Sequence, residues 1–187
     1  PGLVFAGADG AAEDEMGLDE AFDYLKTYEF GASRAPLNVI TAAVREAGDT
    51  PEELRRLEKR LIALAPEATL SGKRYIARRL AVIGTGACVP AMAEWLEQPD
   101  TVNIALRVLE TVPDKSAARA IRDAVPKLEG TARTGAINSL ARRGDRQAVP
   151  MLEERMDAED EAVAVAAINA LGEIGGEDAC AALTQEW

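Results

Sequence analysis

The sequence predicts an all-α protein, a right-handed α-α superhelix of about five stacked helix pairs. Three observations support this fold class. Helical segments recur with a period of about 30 residues, each first helix ends at a Gly or Pro, and each second helix carries apolar residues at helical spacing. A repeat of this length cannot bury its apolar face alone, so neighbouring copies must stack. Such a stack is a solenoid, whose extended surface suits the binding of a partner.

The first helices of the five pairs share an apolar position that is followed four residues later by a helix breaker. The apolar residues are Val44, Leu80, Leu109, Leu140 and Leu171, and the breakers are Gly48, Gly84, Pro113, Gly144 and Gly175. Glycine adopts the left-handed conformation that closes a helix, and proline cannot continue one. The breakers therefore predict where each first helix turns toward its second helix.

The second helices repeat a three-then-four spacing, which puts three side chains on one helical face. In chain order the triplets are Leu54, Leu57 and Leu61, then Val89, Met92 and Leu96, then Ala118, Ile121 and Val125, then Val149, Leu152 and Met156, and finally Cys180, Leu183 and Trp187. Direct identity supports this register, because Ala136-Ile137-Asn138 returns 31 residues later as Ala167-Ile168-Asn169.

Residues at the turns predict helix caps. Thr50, Pro51 and Glu53 form a capping-box pattern, in which Thr50 caps the helix, Pro51 is its first residue and Glu53 reaches back to the cap amide. Asp145 and Asp178 are predicted to accept backbone amides at the start of their second helices.

Two segments carry a recognisable repeat pattern, Ala170-Leu171-Gly172-Glu173-Ile174-Gly175 and Ala148-Val149-Pro150-Met151-Leu152. They resemble the short bacterial HEAT-like repeat, also called the phycobilisome-lyase type. The resemblance covers about residues 36–187 and implies a HEAT/armadillo-like solenoid. It implies little about activity, because one fold hosts many functions.

Two of the pairs depart from this pattern. In the third pair, Pro113 replaces the turn glycine and Arg119 replaces the pattern's proline. In the fourth pair, Arg143 stands where Ile83 and Ile174 are found. These pairs are predicted to be less regular.

The chain is expected to comprise a leader, residues 1–15, and one solenoid domain, residues 16–187. Leu3-Val4-Phe5-Ala6-Gly7-Ala8 resembles the end of a signal peptide with its small-residue cleavage site. The leader is therefore either the remnant of a periplasmic or secreted protein, or a disordered or artificial extension of a cytoplasmic one. Because Trp187 falls on a core position and repeat arrays end in polar caps, we expect the array to be truncated and to belong to a longer multidomain chain.

Charge is unevenly distributed along the chain, whose net charge is −11. Residues 1–30 hold eight acidic and one basic residue, residues 156–187 hold eight acidic and no basic residue, and the middle is net positive by four.

Much of this positive charge lies in a segment that we call the basic belt, which contains Arg55, Arg56, Lys59, Arg60, Lys73, Arg74, Arg78 and Arg79. It is either a surface for an acidic peptide or phosphate backbone, or a solvated face with helical salt bridges. Acidic flanks and the scarcity of aromatic residues for stacking, 4% of the chain, disfavour nucleic acid. No apolar run is long enough to span a membrane.

The chain contains no histidine, which removes the commonest general base and the usual zinc ligand. We therefore expect no enzyme activity, no catalytic residue, no cofactor and no metal. Cys88 and Cys180 lie three repeats apart, too far for a disulfide. Cys180 is predicted to be a core residue and Cys88 to be partly exposed.

The residues that are expected to bind a partner come from the register. In HEAT-like solenoids the second helices line the concave side, and the positions between their core residues point outward. One such row contains Trp95, Ala124, Arg155 and Glu186, and another contains Ala93, Arg122, Glu153 and Thr184. Trp95 is the predicted anchor, with Arg122, Arg155, Arg119 and Glu154 completing the partner-binding set. The alternative is that the Trp95 ring folds over its own repeat.

These observations favour a noncatalytic protein- or peptide-binding scaffold module of a larger bacterial protein. Two alternatives stay open. One is a phycobilin-lyase-like or other small-ligand-handling protein acting through Cys88 and nearby carboxylates, and the other is a structural spacer between domains.

Overall fold

The computed structural model describes residues 16–185, and within this range every regular element is helical. The predicted leader and the predicted core position of Trp187 lie outside the described residues.

A short helix, α1 (Leu18–Tyr24), precedes five helix pairs. The pairs are α2 (Ala35–Ala47) with α3 (Pro51–Leu64), α4 (Leu70–Ile83) with α5 (Val89–Leu96), α6 (Val102–Thr111) with α7 (Lys115–Ala124), α8 (Gly130–Arg142) with α9 (Val149–Glu153), and α10 (Glu161–Ile174) with α11 (Gly176–Gln185). Single turns of 3-10 helix, Gly86–Cys88 and Arg146–Ala148, precede α5 and α9. The predicted all-α solenoid of five pairs is confirmed.

One continuous core runs between the first and second helices. Leu80, Leu109, Leu140 and Leu171 on the first helices are fully buried, as are Leu61, Met92, Ile121 and Leu152 on the second helices. Successive first helices pack against each other, α4 on α6, α6 on α8 and α8 on α10. Each buried leucine stabilises the stack by about 1.5–3 kcal/mol, so every pair depends on its neighbours.

Three of the four predicted turn glycines adopt positive φ, namely Gly48 at 52°, Gly144 at 61° and Gly175 at 62°. Gly84 does not, since its φ of −66° and ψ of 141° are extended. A Cβ at Gly84 would meet the Leu80 carbonyl oxygen and would lie 3.1 Å from the Cys88 Sγ. Glycine is therefore required at this turn because space is lacking, and the prediction of a left-handed residue there is wrong.

The predicted caps are largely wrong. Pro51 begins α3 as predicted, but Thr50 makes no side-chain cap hydrogen bond, and Glu53 pairs with Arg56 at 3.2 Å instead. Asp145 caps no amide with its side chain, and Asp178 lies within α11. The side chains that cap α-helices are Thr69, Asp114 and Asp160.

The departures at Pro113 and Arg143 are complementary. Helix α6 ends at Thr111 with no glycine to close it. The Arg143 guanidinium, from the next pair, donates hydrogen bonds to four backbone carbonyl oxygens at the end of α6 and just beyond it. These belong to Leu109, Glu110, Val112 and Asp114. Burial lowers the pKa of Arg143. The arginine thus satisfies carbonyl groups that a closing glycine would otherwise help to satisfy.

Candidate functional site

A groove of about 580 Å³ runs between the second helices α5 and α7. Its floor is formed by small and apolar side chains, Ala93, Leu96, Ala120, Ala124 and Leu128. Ala93 and Ala124 occupy the register positions at which Arg122 and Arg155 stand in other pairs. The groove exists because alanine replaces long side chains at these positions.

The rim of the groove is polar, and its charges are balanced. Lys127 pairs with Glu97 at 3.4 Å, and Arg119 pairs with Asp123 at 3.7 Å. Both pairs are largely exposed, so each stabilises the fold by only about 0–1 kcal/mol. Such weak pairs are free to exchange their partners for those of a bound chain. An apolar floor inside a polar rim is the usual anatomy of a protein-binding surface.

Trp95 does not point outward, because only 3% of its surface is exposed. The Lys73 ammonium of α4 lies 5.7 Å from the centre of its ring, so the indole folds against its own helix pair. The Thr101 hydroxyl donates to the Trp95 carbonyl at 2.8 Å and fixes the chain after α5. The expectation that Trp95 stands as an exposed anchor is wrong, because an indole that can bury 150–250 Å² packs inward when a neighbouring helix offers it a surface.

Arg122 binds within the protein instead of facing a partner. Its guanidinium donates to the Asp145 carboxylate and, at 2.8 Å, to the Gln147 side-chain oxygen in the turn after α8. Glu58 holds the same register position on α3, and its carboxylate accepts a hydrogen bond from the Thr85 amide at 2.6 Å. Thr85 and Asp145 are also equivalent in register. We call this contact, from a second helix to the next turn, the inter-repeat brace.

The other three predicted partner-binding residues are not brought together. Arg155 lies just after α9 and donates to the Met151 carbonyl of that helix at 2.6 Å, and its side chain is only 21% exposed. The same segment leaves Glu154 exposed, at 3.9 Å from Arg155 and outside the groove. Arg119 alone lies at the groove rim. The floor of the groove was missed, although the alanines at otherwise charged register positions are visible in the sequence.

The predicted exposure of the two cysteines is wrong for both, because Cys88 was expected to be partly exposed and Cys180 to be in the core. Cys88 is fully buried, and burial together with the nearby Glu58 carboxylate raises the pKa of its thiol to about 11. Cys180 is exposed, because α11 is rotated by one residue so that Ala179 and Ala182 are buried instead. A reactive thiolate at Cys88 is disfavoured at neutral pH, since nucleophilicity requires the ionised form.

Two further findings concern residues 16–185. Within this range no three or more cysteine or carboxylate side chains converge as metal ligands would. No helix in the same range has the length and apolar character needed to cross a bilayer.

Comparison with known families identifies part of this architecture. Residues 118–186 match the family model for HEAT repeats. This part of the chain is similar to HEAT repeats. The match begins in α7 and extends through the fourth and fifth pairs, while the groove and its rim extend from its edge into α5. No curated protein matches the chain. The finer resemblance to the bacterial phycobilisome-lyase type stays a prediction.

Proposed function

We propose that this HEAT-like solenoid is a noncatalytic scaffold module that binds a protein or peptide in the groove between α5 and α7. HEAT repeats commonly serve as protein-binding scaffolds, and their second helices line the concave side. The single observation that carries the proposal is the apolar floor of this groove, inside a rim of exposed ion pairs. A volume of about 580 Å³ accommodates a few side chains of a partner.

The chemistry of the groove defines the partner. Apolar anchor side chains would cover Leu128 and the partly exposed Ala93 and Ala120, and the small alanines would let the partner's backbone approach closely. Acidic and basic groups of the partner, beside the anchors, would form new ion pairs with Arg119 and Glu97 and replace the pairs that these residues make within the rim. The expected ligand is therefore a segment with a short apolar core and mixed flanking charges.

Two observations favour a noncatalytic role over the small-ligand alternative. The Cys88 thiol that this alternative requires is buried, with a pKa raised to about 11. The groove itself is lined by alanine, leucine, mutually paired charges and Ser116, whose hydroxyl donates to Asp114, and no cysteine is among these residues.

The proposal is tested by selecting binders from a displayed library of random peptides and measuring their affinity by fluorescence polarisation. Ala120→Arg places a long side chain on the floor, and we expect it to weaken binding at least about tenfold, since a blocked hot spot loses more than 1.4 kcal/mol. Ala63→Arg adds the same side chain at an exposed site on α3 and is the matched control. Equal effects of the two substitutions, or no effect of Ala120→Arg, would contradict the proposal.

A further inference from the structure

A second depression lies on the first helices, away from the groove. It has a volume of about 390 Å³ and is lined by Arg74 and Arg78 of α4 and by Arg107 of α6. Its remaining lining residues are Ala77, Asp100, Asn103 and Ile104. We call this site the arginine pocket.

The repeat register explains why these side chains converge. Arg78 and Arg107 each lie two residues before the equivalent core leucines of α4 and α6, so they occupy the same position on adjacent helices. Arg74 and Asn103 are likewise equivalent, one turn earlier. Packed helices lie about 8–10 Å apart, a distance that two arginine side chains readily span. The pocket is thus a four-cornered polar frame over the apolar floor made by Ala77 and Ile104.

The three guanidinium groups of the pocket are not held in ion pairs within the described part of the chain. Arg74, Arg78 and Arg107 are exposed, and none of them forms an ion pair with a residue in 16–185. Asp100 lines the pocket but offers a single negative charge to three positive ones.

The nearest further carboxylate on α6 is already engaged. Glu110 lies one turn beyond Arg107, but its carboxylate accepts hydrogen bonds from Arg142 and, at 2.6 Å, from the Ser139 hydroxyl. Burial tends to raise the pKa of Glu110, and these hydrogen bonds hold it below its ordinary value. The pocket therefore has an excess of positive charge, which favours the approach of an anion.

We propose that the arginine pocket binds a phosphate-type oxyanion carrying two or more charges. A guanidinium fork matches a phosphate through two parallel hydrogen bonds, and a tetrahedral phosphate directs its oxygens toward several forks at once. A carboxylate carries one charge and two coplanar oxygens, so it cannot engage three forks. The Asn103 amide adds a neutral donor at the fourth corner. The ligand is either a free phosphate compound or a phosphorylated side chain of a protein.

This site is independent of the proposed function. It lies on α4 and α6, whereas the groove lies on α5 and α7. Loss of anion binding would leave peptide binding in the groove intact, and the reverse also holds.

The test is isothermal titration calorimetry at low ionic strength with inorganic pyrophosphate, with a phosphoserine peptide, and with citrate as a carboxylate of similar charge. The variant Arg78→Gln with Arg107→Gln removes two forks. The control Arg55→Gln with Lys59→Gln removes two exposed charges from α3. A third variant, Arg78→Lys with Arg107→Lys, keeps the charge and removes the forks. Far-UV circular dichroism and urea unfolding verify that each variant is folded.

We expect pyrophosphate or the phosphopeptide to bind the wild-type protein. The affinity of the glutamine variant for the same ligand should be at least about tenfold lower, and that of the control variant should lie within about twofold of the wild-type value. The lysine variant is expected to lose several-fold in affinity, because a point charge does not replace a fork. The tighter of the two phosphate ligands identifies the source. The proposal is overturned if citrate binds as tightly as pyrophosphate, if the lysine variant binds like the wild type, if the control loses as much as the glutamine variant, or if no saturable binding occurs.

Discussion

The Arg143 guanidinium donates a hydrogen bond from Nη1 to the Val112 carbonyl oxygen at 2.7 Å. This contact joins two pairs at the place where both depart from the repeat pattern. Isoleucine occupies the position of Arg143 in the second and fifth pairs, and glycine occupies the position of Pro113 in the other four. The two exceptions belong together, because a half-buried arginine donates hydrogen bonds to the carbonyl groups of a helix that lacks a closing glycine.

Replacing Arg143 by isoleucine restores the repeat pattern but is expected to destabilise the protein. Several carbonyl groups would lose a charged donor, at a cost of about 3 kcal/mol. Urea unfolding monitored by circular dichroism measures this change. Arg146→Ile, at an exposed position in the next turn, is the control and is expected to change stability by less than about 0.5 kcal/mol. An Arg143→Ile variant as stable as the wild type would contradict the capping role.

The inter-repeat brace predicts strong coupling between Arg122 and Asp145. Because their side chains are only 18% and 10% exposed, a double-mutant cycle with alanine is expected to give a coupling energy of about 1–2 kcal/mol. The exposed rim pair of Arg119 and Asp123 is expected to give about 0–0.5 kcal/mol. Coupling energies of the same size for both pairs would show that the brace is an ordinary surface contact.

Trp95 is expected to stabilise the fold and to take no direct part in binding. Its indole is buried against α4, so Trp95→Ala should destabilise the protein by about 3–5 kcal/mol through lost contacts and a cavity. Thermal unfolding measures this change. A loss below about 1 kcal/mol, together with weakened peptide binding, would instead restore Trp95 as an exposed anchor.

The Cys88 thiol predicts a loss of stability at alkaline pH. Its pKa is raised from an ordinary value of 9.0 to about 11 in the folded protein. Between these values the unfolded chain ionises its thiol and the folded chain does not, so stability falls as pH rises through this window. The free energy of unfolding measured from pH 8 to 11 should fall less steeply in Cys88→Ala than in the wild type. Cys180→Ala removes an exposed thiol and should keep the wild-type slope.

The fold could be predicted because its determinants repeat. Leu80, Leu109, Leu140 and Leu171 are all fully buried and recur at intervals of about 30 residues, so periodicity locates the first helices of these pairs. The second helices followed from the same argument. The prediction failed for α11. Ala179 and Ala182 have the same three-residue spacing as Cys180 and Leu183, and it is the two alanines that are buried, so Cys180 lies on the surface.

The candidate site was harder to predict because register fixes where a residue lies along a helix and does not fix where its side chain extends. A long side chain can adopt whichever rotamer gives it the most favourable contact within its reach. The Trp95 ring packs inward, Arg122 binds the Asp145 carboxylate, and Arg155 binds a carbonyl of the preceding helix, α9. On the groove floor the side chains are too short to cover it, and Ala93 and Ala120 stay partly exposed.

Binding in the groove is tested by mapping a selected peptide onto the uniformly nitrogen-15-labelled protein by amide chemical-shift perturbation. If the groove between α5 and α7 is the binding surface, the largest shifts will fall on Ala93, Ala120, Ala124 and their neighbours, and Ala120→Arg will abolish them. Shifts that are confined to the first helices, or that persist unchanged in Ala120→Arg, would contradict the account.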